Sequence, residues 1–369
     1  MIYLDQNEIP DSLEAPYQDD LSRFEAANRS IEYIRDLIGG SEHAQVIFNS
    51  GRGEGIATVF QSIVFDHAIA MGKNHIMSVS TEEADILLTL ERLKQVGIEP
   101  QIATVNSMGH LTRDILDLYS SPRLALLSLS WANRHTGVVQ PIWEIAEYCR
   151  EHNILLHVDA SDVAGALFLT AGDLPIDFIT IEGSRLGAPV GTGALIVREG
   201  RRLSPLIPAG EAASLRGGPL NFEGLLALGE AARLCMENLQ HVCMETARLK
   251  HYFESEILRR VEGSQILFSQ CDRLPTTTTI AFEGVHFEAL LFHITHNGLA
   301  ASMGGGDAQR LEHLLGVCGI FPEVARSALS FTLSSKTTGA EIDEAIAILE
   351  SSVAHLRKIA GNLVEEADV

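Results

Sequence analysis

Seven short apolar runs alternate with longer stretches of helical periodicity before Glu199, and this alternation restricts the fold more than any other feature. The runs are QVIFNS (45–50), HIMSVS (75–80), PQIATV (100–105), LALLSLS (124–130), ILLHVD (154–159), FITIEG (178–183) and ALIV (194–197). They are apolar on both faces, the pattern of strands covered above and below. Between them lie IATVFQSIVFDHAIAMG, DILLTLERLKQVG and PIWEIAEYCREHN, with apolar residues at helical spacing and, in the last, a proline suited to a first helical turn. Strand and helix in turn predict an α/β fold, a mostly parallel seven-stranded sheet between helices.

The pattern then changes. A helical tract runs from about Glu223 to Val261, followed by strand-like TTTTIAF and SALSFTLS and helix-like HFEALLFHITHNG and TGAEIDEAIAILESSVAHLRKIA. The last opens with a Thr338-x-x-Glu341 capping box. A chain of 369 residues exceeds one small core, so we expect a large α/β domain over residues 12–255 and a smaller α/β domain formed by 1–11 with 256–369. Only the tail LVEEADV reads as frayed.

Composition removes several function classes. A formal charge of -22 opposes nonspecific binding to nucleic acid or anionic lipid. No run of apolar residues is long enough to span a membrane, and MIYLDQNEIP lacks a leader pattern, so we expect no membrane partner and a cytoplasmic location. Cys149, Cys235, Cys243, Cys271 and Cys318 are odd in number and scattered, which suggests small buried residues and no metal site.

In an open parallel sheet, ligands sit beyond the carboxyl ends of the strands. That rule selects the loops SGRGEG, STEEAD, WANRHTG, DASDVAG and EGSRLGAP, which carry much charge for a partly buried edge. Ser80-x-x-Glu83 fits a capping box, with Glu82 and Glu83 in a first helical turn. His157 fits packing within its strand, and His135 a solvent-facing or turn-capping position.

These segments, with YLDQN, LRGGPLN, RLPTTTTIAF and TTGAEIDEAI, resemble the NifS-type cysteine desulfurases of the class V aminotransferase family. HVDA followed by G-S-R-x-x-A-P-x-G-x-G-A-L is the most specific match. The resemblance implies the fold type I architecture of enzymes that use pyridoxal phosphate. Asp159 matches the aspartate that holds the cofactor's ring nitrogen, and Gly51 belongs to the phosphate loop.

Other family positions differ. The lysine that forms the internal aldimine falls on Arg185, within Gly183-Ser184-Arg185, and guanidinium has no free lone pair to condense with an aldehyde. The ring-stacking histidine falls on Glu82, the phosphate-loop threonine on Gly53, and the asparagine near the ring on Arg134. The glutamine at the phenolic oxygen becomes Asp162, and the serine before G-H-K becomes Glu182. A neighbouring subunit's threonine becomes Pro219, and the sulfur-accepting cysteine becomes Asp307, with Cys318 in the next helix. Of the five lysines, Lys73, Lys94, Lys250 and Lys358 fit solvated helical positions, and only Lys336 falls near the family's substrate site.

Lost covalent participants lead us to expect a catalytically degenerate protein with no catalytic residue and no bound cofactor, pyridoxal phosphate being held, if at all, without a covalent bond. In that reading the chain is a dimeric scaffold, or a regulator of an active desulfurase or sulfur acceptor, with its old pocket closed by ion pairs among Arg134, Arg185, Asp159, Asp162, Glu182 and Asp307. The alternative is a rebuilt pocket in which Arg52, Arg134 and Arg185 hold a small anionic ligand or support other chemistry.

Overall fold

The computed structural model describes residues 20–208, 215–305 and 310–367. YLDQN, the rest of 1–11 and Asp307 lie outside them. Each of the seven apolar runs forms a strand: β1 (Gln45–Asn49), β2 (His75–Val79), β3 (Glu99–Ala103), β4 (Leu124–Ser130), β5 (Leu155–Asp159), β6 (Phe178–Glu182) and β7 (Gly193–Val197). Their order is β1-β7-β6-β5-β4-β2-β3, with β7 antiparallel to both neighbours and the pairs from β6 to β3 parallel. The carboxyl ends of β1, β2, β4, β5 and β6 therefore share one edge.

Helices α1 (Asp20–Leu37), α2 (Arg52–Ile63), α3 (Ala84–Leu93), α4 (Arg113–Tyr119) and α5 (Ile142–Glu151) accompany this sheet. The apolar spacing explains which side each one buries. On α2, Ile56, Val59, Phe60 and Ile63 fall on one stripe and join Ile76, Leu126 and Phe178 of the sheet. On α5, Ile142, Ile145, Ala146 and Cys149 do the same against the core containing Leu127, Leu156 and Val158. The helix expected to continue through residue 72 changes pitch after Ile63, and Val64–Ile69 form a wider π-helical stretch.

Helix α6 (Phe222–Arg260) runs unbroken for 39 residues. Its Leu225 and Leu228 pack in the core of the large sheet, whereas Leu249, Phe253 and Ile257 belong to a second core. That second core lies against a three-stranded antiparallel sheet of β8 (Ser264–Ile266), β9 (Thr277–Phe282) and β10 (Ala328–Thr332). Helices α7 (Phe287–His296), α8 (Leu311–Val317), α9 (Pro322–Ala325) and α10 (Gly339–Ala367) complete the chain. The Thr338 capping box forms as expected: its Oγ1 accepts from the N–H of Glu341 at 3.3 Å, and Glu341 Oε2 accepts from the N–H of Thr338 at 2.8 Å. The tail expected to fray instead continues α10 as far as Ala367.

Two expectations about single residues change. Lys250 is not solvated: it is 9% exposed, and its ammonium donates to the Leu274 carbonyl at 2.6 Å. Burial lowers its pKa to about 8. Cys149 and Cys318 are buried, but Cys235, Cys243 and Cys271 are only partly so. Among the described residues, no helix is long and apolar enough to cross a membrane.

One polar chain locks the central strands just below the edge that carries the charged loops. His157 of β5 is fully buried, with Nδ1 2.8 Å from Ser128 Oγ of β4 and Nε2 3.2 Å from Thr180 Oγ1 of β6. Burial holds the imidazole neutral, its pKa pushed down to about 3. His157→Ala leaves two buried hydroxyls without partners and opens a cavity, and should cost about 3 kcal/mol of unfolding free energy in a urea titration.

Candidate functional site

Charge gathers where the strand ends meet α2. Arg52, the first residue of that helix, is the hub. Its side chain is 13% exposed and reaches three carboxylates: Nη2 lies 3.2 Å from Glu83 Oε2, Nε 3.0 Å from Asp85 Oδ2 and Nη1 3.5 Å from Asp159 Oδ2. Burial alone opposes the charge, but Asp159, Glu83 and Asp85 outweigh it and raise the guanidinium pKa above its ordinary value.

Asp159 ends β5, and its Oδ1 accepts from Ser161 N–H at 2.9 Å and Ser161 Oγ at 2.5 Å. Burial pushes its pKa up while Arg52 and Ser161 pull it down, and burial prevails. Asp162, in the same loop, pairs with Arg185 Nε at 3.5 Å, and burial lifts its pKa to about 6 against that attraction. Arg185 sits in a short 3-10 turn after β6, 39% exposed, with its guanidinium directed at Asp162. Arg134 Nε approaches Glu83 Oε1 at 3.2 Å and also lies 3.2 Å from His135 Nε2.

Glu182, the last residue of β6, turns its carboxylate onto the start of α2: Oε2 accepts the Arg52 N–H at 2.8 Å, and Oε1 accepts from Ser184 Oγ at 3.2 Å. Gly51 makes room for it, since a Cβ there would stand 2.7 Å from Glu182 Oε2. Gly53 faces no such limit, with nothing within 4 Å of a Cβ at that position.

The structure corrects several sequence expectations. Ser80 and Glu83 do not form a capping box; Glu83 precedes α3 without a side-chain capping bond, and Ser80 Oγ has no hydrogen-bond partner. Glu82 and Glu83 are instead buried and point inward. Glu82 Oε1 accepts from Ser130 N–H at 2.7 Å and Oε2 from Ser130 Oγ at 2.8 Å. Burial pushes its pKa up to about 7, those two bonds opposing the shift and Asp159 and Glu83 adding to it. His135 does not face solvent; it is buried, and burial and Arg134 lower its pKa to about 4. Lys336 is exposed in the loop after β10, lining a groove of about 370 Å³ with Phe331, Thr337 and Glu341 rather than the charged edge.

Of the ion pairs expected among Arg134, Arg185, Asp159, Asp162, Glu182 and Asp307, Arg185 meets Asp162, whereas Arg134 meets Glu83, Asp159 meets Arg52 and Glu182 accepts the Arg52 N–H, all at the same edge. The three central residues that sequence reasoning missed as ion-pair partners are Arg52, Glu83 and Asp85. One signal was available: an arginine at the first position of a helix opposes the helix dipole, which implies carboxylates close by.

Two measurements probe this network. Arg52→Ala leaves buried Asp159 without a counter-charge and Glu83 with that of Arg134, and should cost about 3–5 kcal/mol in a denaturant titration. For Glu82 the sign follows from a proton that the folded chain keeps and the unfolded chain has lost. Stability should fall as pH rises from about 4.5 to about 7 and then stay level. The full effect is roughly 3 kcal/mol. Glu82→Gln should remove that part of the slope, so its stability advantage over the wild-type chain should grow through this window; parallel pH profiles would contradict the assignment.

Known proteins share both sequence and architecture with this chain. The family model described as "Aminotransferase class-V" matches residues 21–344. A protein named cysteine desulfurase from Nostoc sp. is 30% identical, covering 100% of this chain and 96% of that protein. Another of that name, from Bradyrhizobium diazoefficiens, is 29% identical over 92% of this chain and 87% of that protein. A solved structure described as a NifS-like protein superposes with a TM-score of 0.82 at 20% identity, covering 92% of this chain and 91% of that one.

These matches overturn the expectation that no cofactor is involved, because the family is one of pyridoxal phosphate-dependent enzymes. Asp159 fits the ring-nitrogen partner by its place at the end of β5. Covalent attachment at residue 185 does not fit, since Arg185 carries a guanidinium paired to Asp162. The fold is that of the fold type I transferases, and the chain belongs to the class V aminotransferase family, among relatives named cysteine desulfurases.

Proposed function

We propose that this cysteine desulfurase-like chain has exchanged covalent chemistry at position 185 for an ion-paired edge, and that it works by binding rather than by releasing sulfur. The observation that carries the proposal is the guanidinium of Arg185 held against Asp162, in a residue that the resemblance aligns with the family's lysine. Desulfuration along the family's route needs a nucleophilic amine at that position and a thiol at the sulfur-accepting position. This chain has arginine and Asp307 there. The charged loops support the same reading, because Arg52 already ties Glu83, Asp85 and Asp159 together.

In this proposal the chain is a homodimer that acts as a scaffold or regulator for a sulfur-handling protein, either an active desulfurase or a sulfur acceptor. Its two lobes, 12–255 and 1–11 with 256–369, would provide the surface; a separate small sheet and a second core favour two lobes, although that core also takes Leu249 and Phe253 from before residue 255. The alternative of a small anionic ligand has less support, since Arg52, Arg134 and Arg185 all already face carboxylates.

The test is sulfide release from L-cysteine with pyridoxal phosphate and a reductant, using the full chain. No turnover above a protein-free control is expected, and none is expected from the Arg185→Lys, Asp307→Cys double variant, whose surrounding carboxylates are unchanged. Sulfide production by the wild-type chain would overturn the proposal. Restored turnover in the double variant alone would show that two residues, rather than the whole charged edge, block the chemistry.

A further inference from the structure

The groove beside Lys336 is lined by the small sheet's last strand, the helices packed on it and the end of α6, and by no residue of the charged edge. Its apolar lining comes from Phe253 of α6, Phe331 at the end of β10, Leu333 just beyond it, and Ile342 and Ala345 of α10. Phe253 and Phe331 meet edge to face, with ring centroids 5.3 Å apart. Leu299 and Ala300, which follow α7, also line the space. Its volume of about 370 Å³ falls within the roughly 300–1,000 Å³ of small-molecule sites, which combine an apolar lining with a few convergent polar groups.

The loop between β10 and α10 supplies those polar groups, and they are donors. Ser334 Oγ accepts from the Lys336 N–H at 3.2 Å, and Thr337 Oγ1 accepts from the Ser334 N–H at 2.9 Å. Each hydroxyl thus spends a lone pair on the backbone and keeps its proton. The two oxygens lie 3.4 Å apart, so at most one of those protons is used between them. Lys336 is exposed, and among the described residues no hydrogen bond or ion pair engages its ammonium. Glu341, the carboxylate of the groove, is committed to the capping box, where Oε2 accepts from both the N–H and the Oγ1 of Thr338 at 2.8 and 2.9 Å. What is left to meet a ligand is one full positive charge and a hydroxyl proton.

We propose that this groove binds a small carboxylate with an apolar tail, the tail lying on Phe253, Phe331 and Leu333 and the carboxylate meeting Lys336 and the Ser334–Thr337 hydroxyls. The two ends of such a ligand do different work. An exposed ammonium is screened by water and holds a bare anion weakly, so burial of the tail supplies the affinity and the charge decides which end faces the loop. This inference goes beyond the functional proposal and does not depend on it, since it uses neither Arg185 nor any carboxylate of the charged edge.

Octanoate is the probe, titrated calorimetrically into the full chain and followed through backbone amide resonances in a 15N-labelled sample. It should bind the wild-type protein and move the amides of residues 332–337. Lys336→Met keeps an apolar side chain at an exposed position and removes the charge, so octanoate affinity should fall roughly ten-fold while octanol binds both proteins equally. Ala300→Trp fills the space from another exposed position and should abolish octanoate binding, which provides a second variant. L-Cysteine, a carboxylate without an apolar tail, should leave the amides of residues 332–337 unmoved. No octanoate binding, equal affinity in the wild type and Lys336→Met, unchanged binding in Ala300→Trp, or a response to L-cysteine equal to that to octanoate would each overturn the proposal. The sulfide assay reads the functional proposal separately.

Discussion

A guanidinium taken almost wholly out of water is the constraint around which the carboxyl edge of the sheet is organised. Arg52 can remain there only with counter-charges in contact, and Glu83, Asp85 and Asp159 provide them from the ends of β2 and β5 and the start of α3. The compensation exceeds what one cation requires. Six carboxylates, Glu82, Glu83, Asp85, Asp159, Asp162 and Glu182, gather near three arginines, Arg52, Arg134 and Arg185. Burial disfavours the charged form of these carboxylates and raises the pKa values of Glu82 and Asp162, with neighbouring Asp159 and Glu83 adding to the shift. Arg52 therefore sets the arrangement of the edge, and the proton content adjusts to it.

The fold was legible because its signal is local. Each of the seven apolar runs became a strand within a residue or two of its expected ends, and α5 began beside its proline. Elements without a strong period escaped: α1 is polar over most of its length and buries Ile34 and Leu37 only near its end, while α4, α8 and α9 are too short to show one. The site was legible by place but not by partnership. Strand ends and resemblance brought Asp159, Asp162, Glu182 and Arg185 to one edge, yet which carboxylate each arginine meets depends on side-chain directions from separate strands. Glu83 shows the difficulty, since a capping box and an inward-facing ion pair have the same local sequence. Lys250 shows it again: a helical pattern cannot reveal that the Leu274 carbonyl comes to meet the ammonium.

Family membership and site chemistry answer separate questions here. The match over residues 21–344 fixes ancestry and architecture and brings a cofactor class with it. It does not decide what an arginine paired to an aspartate can do, because function resides in the site rather than the fold. Asp159 illustrates the point: it ends β5 at the edge where ligands of such sheets bind, yet it is held by Arg52 of its own protein.

Helix α6 has a mechanical implication. At 1.5 Å per residue its 39 residues span roughly 58 Å, and one uninterrupted rod contributes Leu225 and Leu228 to one core and Phe253 and Ile257 to the other. Tilting such a rod at one end must displace the other, so an event at the small sheet can be felt beside the large one without any intervening loop. A protein that binds either half thus has a stiff lever through which to influence the whole.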